Sequence, residues 1–375
     1  MKLLFITAFN PSKNDAGSNY TRQLVLELTK QYRIDLIIFK KKAEKLFLIE
    51  TPNLKIINTY NVNTLTRIIG MLSLPIFFPL FSSRFKWTVA LFLKQLLKKQ
   101  TYDLIYFDFS QTFAYSLFIK HPQKLFMAHD VIYQRYLRRK NLFIRWVKWS
   151  EQYLLGKANS IFTFSNKDCN LINNLYHIKS QSTSFFLQEE ALKATPTSNN
   201  KSYFIFYGNW HRADNFESLK WFIDNVLTLL DPSFEFKIIG NGLPSEIAYQ
   251  LKKYHNNVEY LGYIDNPYPI IANANALISP LTNGAGVKVK VIEAFTCGTP
   301  VIGTALSFEG IDSQFNEFAI IAHSPAEFKQ KIESLDISLS NKIAFKTKFI
   351  SMYNNKQILN YINQYSKLYN GDNMD

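Results

Sequence analysis

Glycine, lysine and glutamate fall at chemically useful spacing in residues 283–304, which read NGAGVKVKVIEAFTCGTPVIGT. The apolar run 276–279 reads as a short buried strand and 280–286 as a loop. Residues 287–297 read as a helix, stopped by Gly298-Thr299-Pro300 before a strand over 301–303. A glycine-rich loop feeding a helix start offers unpaired backbone N–H groups and the positive end of a helix dipole, a place for an anion. Lys288 and Lys290 add full charges. Two positions apart on a helix they are rotated by roughly 200°, whereas Lys290 and Glu293, three apart, share a face. The spacing predicts Lys290 against the phosphates of a diphosphate and Glu293 accepting hydrogen bonds from ribose hydroxyls. It also fits a plainer reading, a glycine-capped core helix carrying an ordinary ion pair.

These residues need strands to hold them. Apolar runs predict strands over 2–7, 34–39, 104–107, 124–128 and 160–164, with helices near 19–31, 87–99 and 142–155 between them. A polar segment, 188–202, nearly free of aromatics, reads as a linker. The pattern then repeats, with strands over 203–207, 235–239, 258–260, 276–279 and 301–303, a helix over 216–230, and a helical tail over about 338–369. Such alternation implies doubly wound parallel sheets, whose ligands collect at the carboxyl ends of the strands. His129-Asp130 follows the strand 124–128 at such an edge. Gly17 sits after the first strand, where bare backbone lets a phosphate or acceptor approach, with Asn19 and Thr21 beyond it. Gly240-Asn241-Gly242 follows another strand; a plain tight turn explains it equally well.

The stretch around Lys290 resembles the donor-binding motif of retaining glycosyltransferases of the GT-B fold, family 4, with Gly284, Gly286, Lys288, Lys290, Glu293, Ala294, Gly298, Pro300 and Val301 in place. Phe206-Tyr207-Gly208-Asn209-Trp210 with Asn215 and Trp221-Phe222 is similar to the opening of that family's C-terminal domain, and Leu261-Gly262-Tyr263-Ile264-Asp265 to a later element. The resemblance implies two Rossmann-like domains facing across a cleft: an acceptor domain over 1–187, a linker over 188–202, a nucleotide-sugar domain over 203–350, and a helix over 351–375 returning to the first domain. It also implies donor contacts from Gly208, Arg212, Gly240, Gly284, Gly286, Val287, Lys288, Lys290 and Glu293. His129-Asp130-Val131 with Arg135 resembles a segment whose histidine lies near the transferred sugar. His129 therefore joins Lys290 and Glu293 as a catalytic candidate, with Asp130 as its orienting partner or an acceptor contact; Ser165 matches a cleft-edge serine. Two departures stand out. Ala285 occupies the position of a first glutamate that many members carry, and the usual basic pair after the first strand of the second domain is missing, leaving Arg212 as its substitute.

Composition limits the rest. A chain of 375 residues, 47% hydrophobic, can bury two ordinary cores. Two distant cysteines, Cys169 and Cys297, and six histidines without ligand-like spacing argue for a reducing compartment and no structural zinc. No D-x-D triplet appears, so no metal and no cofactor beyond a nucleoside diphosphate sugar co-substrate is expected. Residues 1–9 break into NPSKND without a small-residue cleavage site and read as a first strand rather than a leader. The apolar stretch between Arg67 and Arg84 holds two prolines and falls short of the roughly 20 residues that span a bilayer.

Charge is uneven. Residues 1–190 carry 27 Lys+Arg against 12 Asp+Glu, and residues 191–375 carry 16 against 17, so the whole net charge of +14 lies in the first part. A solvated lysine-rich surface explains this, and so does an anionic membrane. Phe77, Phe78 and Phe81, near Arg84, Lys86, Lys94, Lys98 and Lys99, predict an interfacial patch. No nucleic-acid motif is present, so nucleic acid is not an expected partner. Taken together, the expectation is a metal-independent hexosyltransferase on the inner face of the cytoplasmic membrane. It would move sugar to a lipid-linked or polysaccharide acceptor in bacterial-type cell-surface glycan synthesis, such as capsule or lipopolysaccharide. A nucleotide-sugar epimerase of similar fold and a nonenzymatic membrane scaffold with a decayed cleft are the alternatives.

Overall fold

The computed structural model of the chain describes residues 1–13, 15–198, 202–353 and 357–371. They form two compact units, Met1–Phe186 with Asn355–Asp375, and Leu187–Asn354. Residues 199–201 of the expected linker, and 354–356 and 372–375 of the expected returning segment, lie outside the described residues.

The first unit is built on seven parallel strands: β1 (Lys2–Thr7), β2 (Arg33–Lys40), β3 (Leu54–Asn61), β4 (Leu104–Asp108), β5 (Lys124–Met127), β6 (Ser160–Thr163) and β7 (Gln181–Ser182). Their order is β3-β2-β1-β4-β5-β6-β7. β1 and β4 are near-continuous apolar runs because helices cover both faces of a parallel sheet. The chain winds outward from β1 to β3 and then from β4 to β7, so the carboxyl ends of β1 and β4 flank the switch point. β3 has no counterpart among the expected strands. It is an edge strand of mixed polarity, LKIINTYN, with only Leu54 fully buried, so its sequence carries little period. The helix Gln357–Gly371 packs in this unit through buried Ile358 and Ile362, and Tyr32 donates its hydroxyl proton to Asn363.

The expected interfacial aromatics are core. Phe77, Phe78, Phe81 and Phe85 are 4%, 7%, 0% and 0% exposed, packed with Val89 and Leu93 of the helix Trp87–Lys99 beneath β1 and β4. An exposed apolar face lies instead on the earlier helix, Thr64–Ser73, where Leu65, Ile68, Ile69 and Leu72 follow the i, i+3, i+4, i+7 spacing of one face and are 64%, 48%, 50% and 73% exposed. The reason is Gly70. Any β-carbon there would come within 2.6 Å of the Ser82 carbonyl oxygen and 2.8 Å of that of Phe85, so the helix docks by its smallest residue and leaves the apolar face outward. Among the described residues no helix is long and apolar enough to cross a membrane.

The second unit has six parallel strands, β8 (Tyr203–Tyr207), β9 (Glu235–Ile239), β10 (Val258–Gly262), β11 (Leu277–Ser279), β12 (Val301–Gly303) and β13 (Ala319–Ile321), ordered β10-β9-β8-β11-β12-β13. Its switch point lies between β8 and β11. Part of the expected linker is instead a helix, Glu189–Lys193, with Ala191 fully buried. Lys342 and Lys346, on the helix Leu339–Met352, explain how it is held. Lys346 donates to the carbonyls of Leu192 (2.8 Å) and Ala194, and Lys342 to those of Ala272 (2.8 Å) and Ala274 (2.7 Å). Each ammonium thereby satisfies the orphan carbonyls at the end of a short helix.

Candidate active site

In the second unit, the loops after β8 and β11 meet at the switch point. The helix expected over 287–297 runs over Val289–Thr296, with Lys288 at its N-cap and Val287 in the loop before it. Gly284 and Gly286 have φ of +124° and +72°, so this loop needs glycine at both positions. The lysines differ sharply. Lys288 donates to the Gly286 carbonyl and lies 4.0 Å from Glu309, which shares its charge. Lys290 donates to the Asn215 side chain at 3.3 Å and has no carboxylate within ion-pair distance among the described residues. Burial, then the neighbouring charges of Arg212 and Lys288, push its ammonium down to about 7. Asn215 in turn donates to the Asn209 carbonyl at 3.0 Å, tying the β8 loop to the β11 loop.

Lys290 and Glu293 share a helix face yet do not pair with each other, which removes the plainer reading of an ordinary ion pair. Glu293 accepts a 2.9 Å hydrogen bond from the Tyr268 hydroxyl. Burial pushes its carboxyl up to about 7, against the opposing effect of that bond. Lys290 therefore faces Asn215 and the β8 loop, while Glu293 faces Tyr268. Gly208 ends β8 against Asn215, and Arg212 sits exposed before the helix Ala213–Asn225. Gly240 has φ +131°, and a β-carbon there would lie 1.7 Å from the Gly208 carbonyl oxygen; only glycine lets the β8 and β9 loops close on each other. The result is a carboxyl-edge loop set with three neighbouring cations, of which Lys290 is partly desolvated and lacks a carboxylate. Such a set is suited to a multiply charged anion.

The first unit is built around an anion of its own. Asp108, fully buried at the end of β4, accepts from the Thr7 hydroxyl (2.8 Å) and the Thr21 hydroxyl (2.7 Å), and its other oxygen lies 2.8 Å from His129 Nε2. His129 stacks on Phe109 with ring centroids 3.6 Å apart. Gly17 is in the first turn of the helix Ala16–Leu28 rather than in the loop before it. A β-carbon there would sit 3.0 Å from the Phe109 ring and 3.3 Å from His129 Nδ1, so its bareness admits the stack. Asp130 is not the partner of His129. Its carboxylate takes Arg135 Nε at 2.8 Å and a second guanidinium nitrogen. The backbone after it is fixed by buried Glu151, which accepts from the amides of Ile132 (2.7 Å) and Tyr133 (2.8 Å) and from the Tyr176 hydroxyl (2.7 Å). Burial pushes Glu151 up to about 7. Two further candidates are occupied locally: Asn19 accepts from Arg22 at 3.1 Å, and Ser165 caps the helix Asn166–Tyr176 by accepting the Asp168 amide at 3.1 Å.

Sequence reasoning missed Asp108, Phe109 and the Lys290–Asn215 link. Asp108 lies one residue beyond the expected strand 104–107, and strand-end position was the available signal.

The two doubly wound units have the GT-B fold of known glycosyltransferases, and residues 201–336 match the family described as Glycosyl transferases group 1. Sucrose-phosphate synthase from Thermosynechococcus elongatus superposes with a TM-score of 0.72 at 15% identity, over 98% of this chain and 99% of that one. Anabaena Alr3699/HepE, in complex with UDP-glucose, superposes with a TM-score of 0.66 at 15% identity, over 97% and 100%. In sequence, an uncharacterized 44.6 kDa protein in the cps region of Klebsiella pneumoniae is 29% identical over 171 residues. That match covers 42% of this chain and only 44% of the relative.

Proposed function

We propose that the chain is a retaining glycosyltransferase of the hexosyltransferase type. It moves a sugar from a nucleoside diphosphate sugar, bound by the second unit, to a hydroxyl of a lipid-linked or polysaccharide acceptor, bound by the first. One observation carries this reading: Lys290, desolvated and without a carboxylate, beside Arg212 and Lys288 at the β8/β11 switch point. As the bond from the anomeric carbon to the β-phosphate oxygen breaks, its electron pair passes to the diphosphate, the acceptor oxygen bonds to that carbon, and the hydroxyl proton goes to the departing phosphate oxygen. Preorganised cations are worth most where that charge develops. They stand in for a divalent ion, and no other cofactor is needed. Gly208, Gly240, Gly284, Gly286 and Val287 give the nucleotide backbone to lie against, and ionised Glu293 accepts from its ribose. His129, oriented by Asp108, is the first unit's contact for the transferred sugar in this reading, with Gly17 leaving room beside it. The Anabaena protein in complex with UDP-glucose and the cps-region relative support a nucleotide sugar and a cell-surface glycan. The test is thermal stabilisation by a panel of UDP, GDP and ADP sugars. Stabilisation by one base series, then transfer in excess chelator with the anomeric configuration kept, is expected; no stabilisation by any sugar nucleotide sinks the reading.

The place of work follows from charge and the helix Thr64–Ser73. We infer peripheral binding at the inner face of the cytoplasmic membrane, with Leu65, Ile68, Ile69 and Leu72 entering the lipid and Arg67 and Lys86 meeting its headgroups. Each basic contact contributes about 1 kcal/mol. Sedimentation with phosphatidylglycerol liposomes should fall in high salt and in a Leu65→Ser, Ile68→Ser, Leu72→Ser variant. Equal sedimentation with neutral and anionic liposomes removes the membrane from the proposal.

A further inference from the structure

Arg84 is a cation in an unusual position. It follows the short helix Pro79–Ser82, and its backbone is pinned on both sides: the Tyr115 hydroxyl donates to the Arg84 carbonyl at 2.7 Å and accepts the Lys86 amide at 3.0 Å. Its guanidinium lies at the carboxyl end of β1, where Nε donates to the Ala8 carbonyl at 3.3 Å and the group sits 5.1 Å from the centroid of the Phe9 ring. No carboxylate lies within ion-pair distance of it among the described residues. Glu44 acts only from farther away, and the nearby Arg67 has the same sign; with burial as the largest cause, the guanidinium falls to about 10. A half-buried cation costs free energy unless a counter-charge arrives, and groups left in this condition cluster at ligand sites.

Arg84 is also connected to His129. The Phe9 ring meets Phe109 edge-on at 4.7 Å, and Phe109 stacks on His129 at 3.6 Å. All three rings are partly exposed, so a continuous aromatic track runs along the strand ends from the imidazole to the guanidinium. Sugar C–H faces lie well on such rings, and Arg forms bidentate hydrogen bonds with a planar carboxylate or a phosphate.

We propose that Arg84 seats an anionic group, phosphate or carboxylate, carried by the acceptor at a fixed distance along this track from the hydroxyl presented at His129. The inference rests on the first unit being the acceptor unit. The enzyme would then select acidic acceptors over neutral ones. The phosphate linking a glycan to its lipid and a uronate or phosphate within the glycan share this chemistry.

The test follows phenylglyoxal modification of each arginine in the full chain by peptide mass spectrometry. The arms are inorganic phosphate, glucuronate, phosphatidylglycerol vesicles, phosphatidylcholine vesicles, and sodium chloride at matched ionic strength. Phosphate or glucuronate should slow modification of Arg84 several-fold while leaving exposed Arg33 and Arg145 unchanged. Protection by phosphatidylglycerol vesicles alone would support the seat and assign the anion to lipid. Modification of Arg84 at one rate in every arm, or equal slowing at Arg33 and Arg145, overturns the proposal. Because the readout is resolved at Arg84, it stands apart from sugar-nucleotide stabilisation of the second unit, and either result can fail alone.

Discussion

The two switch points solve opposite electrostatic problems. At β1/β4 a fully buried carboxylate, Asp108, is satisfied by two threonine hydroxyls and an imidazole, so its charge is spent on holding His129 still. At β8/β11 Lys290 is a buried cation, and among the described residues its hydrogen-bond acceptor is the amide oxygen of Asn215. Around His129 the first site supplies its own anion; at Lys290 the second presents a cation with no carboxylate in ion-pair distance among the described residues. Equivalent positions in two similar sheets thus separate orientation from charge neutralisation, and substitutions at the two should fail in different ways.

The largest effect should come from Lys290→Ala, which removes the cation nearest the leaving diphosphate. Turnover at saturating donor should fall by about 100-fold or more. Lys288→Ala should cost less, because Glu309 already shares that charge. The pH dependence has a defined sign. Nucleotide binding favours the Lys290 ammonium, so the part of the affinity that Lys290→Ala removes should be present below the free value of about 7 and be lost as pH rises through it. The Glu293 contribution, by contrast, is lost as pH falls through about 7. Equal effects of the two lysine variants, or a Lys290→Ala loss of affinity independent of pH across neutrality, would erase the contrast between an open and a satisfied site.

A smaller loss is expected from Asp108→Asn, which keeps the shape and weakens the bond that orients His129. Turnover should drop by roughly 10- to 100-fold, as for other supporting shells, with nucleotide affinity unchanged. A loss of nucleotide binding in that variant would mean the two sites are not separate in role. The smallest effect belongs to Ser165→Ala. As a helix cap it should cost about 1 kcal/mol of stability in denaturant melts and leave turnover intact; a fall in turnover would return Ser165 to the site.

Most of the fold was legible because central parallel strands announce themselves as apolar runs: β1, β8, β9 and β12 stand where the runs predict, while the edge strand β3 does not appear among them. The glycine positions around Lys290 were legible for a local reason, since loop and helix start adjoin in sequence. Pairings across the sheet were not. His129 lies next to Asp130 in the chain, yet its partner is 21 residues earlier, on a neighbouring strand. Helical spacing puts Lys290 on one face with Glu293, yet its partner is Asn215, from the first turn of the helix Ala213–Asn225. The aromatics at 77–85 failed differently: side-chain type suggested an interface, whereas the period in 65–72 and the crowding at Gly70 decide which surface faces out.

Phe109 carries a further consequence. Its backbone, at φ +65° and ψ 144°, lies in a region that glycine occupies freely and other residues at a cost of about 1–3 kcal/mol. The ring stacked on His129 is what that cost sustains. Phe109→Gly would relieve that cost but remove the ring from between Phe9 and His129, a loss of comparable or larger size. The backbone strain at this position is thus borne by the aromatic contacts that hold the imidazole.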